Sequence, residues 1–549
     1  MTGLLDSGIE AAAGLCVYGA EAIDRSAPAS VRESLVAKEV PRRLAQKDPT
    51  LWGPAAEAEA RIRLGWVDTF RRSRELLPQL AELKAELVDL DHVVLAGMGG
   101  SSLAPEVITR TLGAPLTVLD TTDPNQVRAA LRDRLERTVV VVASKSGTTI
   151  ETDSHRRAYW QAFLDAGMSE AEAGRRFVVV TDPGSPLEAA AEQMGAFVVL
   201  ADPDVGGRYS ALTAFGLVPS ALAGVEVTEL IEQAEELSES LSRDHDNPGL
   251  ALGAALGAAA AAGRDKLALI SDGSGIEGLG DWIEQLVAES TGKDGRGILP
   301  VVLENPDSLG VSGPDVLCVT TGGMLPPGAV PGGGVQPELA VNGPLGAQFL
   351  TWEYATAVAG IVLGIDPFNQ PNVAESKENT KRLLERGLPA ETPLFTDGAI
   401  EVYAPEGVPR DLTGALRWLL GSVGASGYLA VMAYLDRGGD AAVAQVRPLL
   451  AAAVDRPVTF GWGPRFLHST GQYHKGGPQV GSFLQITGAV AEDLAVPGKP
   501  YTFGELLAAQ AAGDREALAR RERPLLRLHL TDRVAGVRQL LDAVRALRD

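Results

Sequence analysis

Apolar positions recur at helical spacing in the first part of the chain. Leu35, Val36, Val40 and Leu44, then Leu83 and Leu87, stand on one side of a 3.6-residue repeat with charges between them. That pattern predicts helices that lay one face on a neighbour. The texture then changes. Val93-Val94-Leu95-Ala96, Leu116-Thr117-Val118-Leu119, Val139 to Ala143, Phe177-Val178-Val179-Val180 and Phe197-Val198-Val199-Leu200 are short, β-branched and separated by helix-compatible stretches. Continuous apolar strands alternating with helices predict a parallel sheet covered on both faces. A second such pattern follows in Leu267 to Ile270, Ile298 to Leu303 and Val316 to Val319. An Ala-rich helix over 249–262 leads into it, and a long apolar helix over 344–365 comes after it. The Gly and Pro of 321–336 predict a loop. Farther on, 441–454 reads as a helix that Pro448 kinks or splits. Val458-Thr459-Phe460 reads as a short strand, and 503–549 as a helical, arginine-rich tail. The predicted class is α/β. A helical segment (1–88) precedes two doubly wound parallel-sheet domains (89–225 and 226–389), and a mixed extension (390–549) closes the chain.

Composition narrows the function. A chain of 549 residues, 45% hydrophobic, has material for roughly three or four domains. No apolar run reaches the ~18 residues that suggest a membrane-spanning helix. Met1 to Asp6 lacks the basic and apolar regions of a secretory signal. Cys16 and Cys318 are too few and too far apart for a disulfide framework or a metal cluster. They read as reduced thiols of a cytoplasmic protein. The net charge of −22 argues against nucleic acid or an anionic membrane as partner. An anionic ligand must therefore be held by local features against the average field.

Two loops offer such features. Gly97-Met98-Gly99-Gly100-Ser101-Ser102 follows the first strand, and Ser144-Lys145-Ser146-Gly147-Thr148-Thr149 follows the third. Both lead into helices at the carboxyl ends of strands, where open α/β sheets bind ligands. Glycines let backbone approach an anion, and the free amides of a helix N-terminus suit a phosphate. The hydroxyls add donors and Lys145 adds charge. Neither loop has the spacing of a dinucleotide or nucleotide-phosphate motif. Such clusters also cap helices without binding anything; two in one sheet favour a phosphate site.

These loops resemble the sugar isomerase (SIS) domain, a family of phosphosugar-binding α/β domains. Three further segments are similar to glucose-6-phosphate isomerase motifs: Asp204 to Ser210 (DVGGRYS), Val287 to Lys293 (VAESTGK), and Asp366-Pro367-Phe368-Asn369-Gln370-Pro371-Asn372-Val373 through Lys377. All five occur in the family's order. The resemblance implies reversible isomerisation of D-glucose 6-phosphate to D-fructose 6-phosphate through an enediolate, in glycolysis and gluconeogenesis, with no cofactor and no metal. It implies that Ser144, Lys145, Ser146, Thr148 and Thr149 hold the 6-phosphate, and that Gly100 and Ser101 line the sugar site. Glu289 would move the proton between C2 and C1, Arg208 would stabilise the enediolate, Gln370 would touch phosphate or sugar, and Lys377 would sit near the ring oxygen. A homodimer is implied in the same way, with the site completed across the interface.

The chain departs from that pattern in two places. Asn372-Val373-Ala374-Glu375 displaces the expected glutamate by one position, and residues 290–366 contain no histidine. Two of the six histidines, His468 and His474, fall in the Gly- and aromatic-rich stretch 461–478. The region after 390 resembles the tail of the isomerase half in bacterial transaldolase–isomerase fusions. The expected ring-opening group is therefore His474 first and His468 second, since histidine titrates near working pH. Two other readings compete. A sugar-phosphate sensor would keep the loops without needing Glu289, and often carries a basic DNA-binding segment that the N-terminal region does not resemble. An enzyme acting on mannose 6-phosphate, alone or together with glucose 6-phosphate, would use the same proton transfer.

Overall fold

The computed structural model describes residues 8–27, 29–305, 308, 313–326 and 337–548. The signal-peptide reading of Met1 to Asp6 lies outside them, as does most of the 321–336 loop. Its first two residues close the strand Val316–Gly322.

The first sheet has five parallel strands in the spatial order Thr117–Leu119, His92–Gly97, Thr138–Ala143, Phe177–Thr181, Phe197–Leu200. The strict two-residue period divides its side chains between two cores. Val93, Leu95, Val139, Val141, Val178 and Val180 enter one core. Val94, Ala96, Val140, Val142, Phe177 and Val179 enter the other. Burial on both faces is the reason these runs show no polar alternation.

The second sheet has six strands. Leu339–Asn342, Val316–Gly322, Lys266–Ser271 and Leu299–Val302 run parallel. The other two, Ile9–Glu10 and Cys16–Tyr18, come from the N-terminal segment and add an antiparallel edge against Leu339–Asn342. That segment is therefore not purely helical. These strands are two and three residues long, too short to establish a period of their own.

The extension after 390 builds a third six-stranded sheet. Its order is Phe395–Asp397, Ile400–Tyr403, Leu525–Leu530, Gly481–Gly488, Tyr428–Tyr434, Val458–Trp462. The last four are parallel, and an antiparallel hairpin covers the edge. Only the strand at 458 was expected. The tail is a helix (Phe503–Ala519), a strand and a second helix (Arg533–Arg545), not continuous helix. A short 3₁₀ turn, Ala441–Gln445, precedes the helix Val446–Val454. Pro448 stands in its first turn, where the missing N–H costs no hydrogen bond.

One face of the third sheet docks on the second. Tyr428, Ala430, Met432, Tyr434 and Phe483 share an apolar core with Ala268, Ile270, Leu299 and Val301. Phe503 and Val496 reach the outer core of the first sheet. The three units thus meet around the carboxyl ends of the first sheet. Among the described residues no helix is long and apolar enough to cross a membrane.

Candidate active site

The first loop is shaped by close approach. Gly99 has φ +56°, and a Cβ there would stand 2.6 Å from the Gln285 amide nitrogen. A Cβ on Gly100 would stand 1.9 Å from the Gly207 carbonyl oxygen. Only glycine lets this turn lie against Gly207-Arg208 on one side and Gln285 with the His468 backbone on the other. Ser101 is buried in the first turn of the helix Gly100–Thr111 that follows.

In the second loop the Ser144 and Thr149 hydroxyls are 2.9 Å apart, and those of Ser146 and Thr148 are 3.0 Å apart. Thr149 is the N-cap of the helix Ile150–Asp165 but makes no side-chain capping bond. The Thr149 hydroxyl therefore does not occupy the first-turn amides, groups of the kind that suit an anion. Lys145 turns elsewhere. Its Nζ bonds Asp182 at 2.6 Å and the Pro203 carbonyl at 3.1 Å, bracing the loop. Burial lowers its pKa against the pull of Asp182. Its ammonium is a strut in this structure and does not line the cleft described below.

Arg208 stands in the 3₁₀ turn Gly207–Tyr209 and is only 4% exposed. Its Nε donates to the Ser290 hydroxyl at 2.8 Å, Nη1 to the Gln370 amide oxygen at 3.2 Å, and Nη2 to the carbonyls of Pro367 and Asn369 at 2.6 and 2.9 Å. Held by four oxygens, the guanidinium brings Nη1 to 3.7 Å from Glu289 Oε1. Glu289 lies near the end of the helix Leu279–Thr291. One turn earlier, Gln285 donates to Glu289 Oε2 at 3.1 Å and to the His468 carbonyl at 2.8 Å. Lys293 fixes the 366–369 turn by donating to the carbonyls of Asp366 and Asn369. Burial, with the Arg208 charge, pushes its pKa well below the lysine range.

The two histidines differ sharply. His468 closes the turn Arg465–His468, and its Nε2 is 3.0 Å from Glu151 Oε1. That oxygen also accepts from Gln510 at 2.7 Å, and Gln510 accepts from the Thr122 hydroxyl at 2.7 Å. Burial works to raise the Glu151 carboxyl. The charge and hydrogen bond of His468, with Lys377 farther off, outweigh it and hold the group below its ordinary range. His474 is 2% exposed. It is packed among Tyr428, Phe466 and Phe483, and neither ring nitrogen has a hydrogen-bond partner among the described residues. Burial drives its pKa well below the usual value. His468 stands at the cleft, whereas His474, expected first as the ring-opening group, lies in the core. The sequence reading missed Glu151, Gln285 and Gln510. Glu151 carried a signal, a carboxylate two residues past a hydroxyl-rich loop, while Gln285 and Gln510 carried none.

A cleft of about 880 Å³ opens here, with Gly147, Thr148, Glu151, Lys377, His468 and Gln510 among its walls. Glu289 and Arg208 do not line it; Glu289 is linked to His468 at its wall through Gln285. The arrangement offers three things: a hydroxyl and amide cradle for an anion, an imidazole backed by a carboxylate, and a second carboxylate beside a fixed guanidinium. These suit proton transfers next to a developing oxyanion.

Residues 84–296 match the family model described as phosphoglucose isomerase. A probable glucose-6-phosphate isomerase of Haloarcula marismortui is 37% identical over 221 residues, covering 39% of this chain and 50% of the relative. The glucose-6-phosphate isomerase of Rubrobacter xylanophilus is 29% identical over 380 residues, covering 56% of this chain and 86% of that one. The chain spans about half the length of the first curated relatives it matches. Among solved structures, a glucose-6-phosphate isomerase from Chlamydia trachomatis superimposes with a TM-score of 0.55 at 19% identity, over 70% of this chain and 91% of that chain. A hypothetical protein from Thermus thermophilus gives 0.55 at 24% identity, over 67% and 97%. The two share the fold.

Proposed function

We propose that the protein is an aldose–ketose isomerase that interconverts glucose 6-phosphate and fructose 6-phosphate. The observation that carries this reading is the pairing of Glu289 with Arg208 at 3.7 Å, one hydrogen-bonded step from the His468–Glu151 pair. The phosphate rests on the loop 144–149 through hydroxyls and helix amides, with Gly100 and Ser101 lining the sugar. His468, steadied by Glu151, takes the proton of the O1 hydroxyl and returns one to the ring oxygen near Lys377, opening the ring. Glu289 removes the C2 proton, Arg208 stabilises the enediolate oxygen with Gln370 beside it, and Glu289 delivers the proton to C1. A single carboxylate thus serves as base and then as acid, while the guanidinium keeps its charge throughout.

The division at residues 88, 225 and 389, a homodimer, a cytoplasmic location and kinship of the last region with transaldolase–isomerase fusions are part of the same proposal. The location is supported by the unpaired thiols Cys16 and Cys318, and the kinship by delivery of His468 from beyond residue 390.

A coupled assay with glucose 6-phosphate and with mannose 6-phosphate, on the native chain and on Glu289→Gln, tests the reading. Turnover of glucose 6-phosphate that Glu289→Gln lowers by about 10²–10⁴-fold is expected. Binding without turnover would indicate a sensor, and turnover of both sugars a dual enzyme.

A further inference from the structure

The third sheet has a cavity of its own, away from the cleft. The helix Val446–Val454, which follows the strand Tyr428–Tyr434, packs on one face of the sheet with Leu429 and Val431. The helix Phe503–Ala519, which follows the strand Gly481–Gly488, packs on the other face, its Leu507 and Ala511 joining Ala430 and Met432. These two strands are neighbours. The chain therefore leaves adjacent parallel strands toward opposite faces, and the crevice beyond their carboxyl ends is where open sheets of this kind take ligands. A cavity of about 220 Å³ runs from that end along the face under the Phe503–Ala519 helix, lined among others by Tyr434 and Thr487 from the strand ends, by Arg527 and His529 from the next strand, and by Glu391 and Arg515. The Phe503–Ala519 helix separates it from the catalytic cleft, with Gln510 on the cleft side.

The Glu401 carboxylate, which accepts from the Tyr403 hydroxyl at 2.8 Å, stands at the cavity's edge. Arg515 donates to Glu391 Oε1 at 2.6 Å, and Arg527 pairs with the other oxygen of the same carboxylate. Two guanidiniums share one carboxylate. Burial and the neighbouring Arg527 charge pull the Arg515 pKa down. Arg527 lies 3.8 Å over the Tyr403 ring, and among the described residues its Nε has no partner. The Tyr434 hydroxyl is also buried without a partner among the described residues. In a chain of net charge −22, two guanidiniums bonded to one carboxylate, with idle donors beside them, suit an anion that takes the carboxylate's place. Glu391 belongs to an irregular connection between the helix Pro371–Arg386 and the strand Phe395–Asp397, so its carboxylate can leave without unfolding an element.

We propose that this cavity is a second binding site, for a small metabolite whose carboxylate or phosphate takes the place of Glu391 between Arg515 and Arg527. Its volume is below the ~300 Å³ of the smaller ordinary ligand sites, which limits the ligand to a few carbons. The Tyr434 hydroxyl and the Arg527 Nε supply the remaining hydrogen bonds.

Calorimetric titration of the full chain tests this with two probes, malonate and inorganic phosphate. The proteins are the native chain, Glu391→Gln, and Glu391→Gln combined with Arg527→Met. Anion bound in the catalytic cleft is common to all three, so the differences isolate this site. Removing the internal competitor is expected to tighten binding of at least one probe by about tenfold, and removing Arg527 as well to abolish that gain. Whichever probe responds identifies the anionic group. Tyr434→Phe, which deletes one hydroxyl and keeps the ring, is expected to weaken binding in the Glu391→Gln background severalfold. Equal affinities in Glu391→Gln and its Arg527→Met derivative, for both probes, would overturn the proposal.

Discussion

His468 and His474 stand six residues apart in opposite chemical situations. One ring is hydrogen-bonded to a buried carboxylate at the wall of a cleft. The other is sealed among three aromatic rings with no polar partner among the described residues. His468→Asn is expected to lower kcat on ring-closed substrate far more than on open-chain substrate. His474→Leu is expected to leave both rates unchanged, because a neutral ring without partners contributes packing alone; the reverse ranking would place ring opening elsewhere. Motif order singled out Glu289 and Arg208, which the structure sets 3.7 Å apart. Histidine burial was not legible, because it depends on a sheet that the hydropathy pattern did not disclose. A second titrating group gives a pH test. Burial, with the Asp281 charge, pushes Glu284 up to about 8. The folded chain then holds a proton that the unfolded chain releases above 4.5. This contribution to stability is complete below pH 4.5 and is lost as pH rises toward 8. Glu284→Gln, which keeps the uncharged shape, is expected to raise the melting temperature over the native chain more at pH 8 than at pH 5. An equal shift at the two pH values would contradict this.

At the scale of elements, the first sheet was readable because parallel strands buried on both faces consist of little except β-branched residues. The third sheet was hidden for two reasons. Tyr428–Tyr434 contains Ala430, Met432 and Ala433, which suit a helix equally well. Gly481–Gly488 carries Ser482 and Gln485, polar residues that are buried only because partners exist across the fold. Gln485 donates to the Ala511 carbonyl at 2.9 Å, and Ser482 meets Ser422 at 2.8 Å. The glycine loop was legible as a tight turn between strand and helix, but its close fit against the Arg208 turn was not. That fit is testable. In Gly100→Ala the new methyl would lie 1.9 Å from a backbone oxygen, so one of the two turns must move. A misplacement of this kind is expected to lower kcat by about a hundredfold in a protein whose circular dichroism is unchanged. Native kcat in the folded variant would show that the contact between these turns does not govern the site.

Across the whole molecule, three units converge on one guanidinium. Arg465 bonds Asp120 at 2.8 Å and Glu106 at 2.5 Å from the first unit, and lies 3.8 Å from Asp281 of the second. It begins the turn that ends in His468, so docking of the last region and delivery of the imidazole are one structural event. The site is in this sense a product of the assembled chain: loops from the first sheet, Glu289 from the second unit, His468 and Gln510 from the third. In the proposed reaction Glu289 carries the proton between C2 and C1. Deuterium uptake into fructose 6-phosphate incubated in heavy water with the native chain and with Glu289→Gln measures it directly. Uptake at C1 with the native chain, reduced by orders of magnitude in a variant that still binds the sugar, is the expected result. Equal uptake by the two proteins would contradict the account.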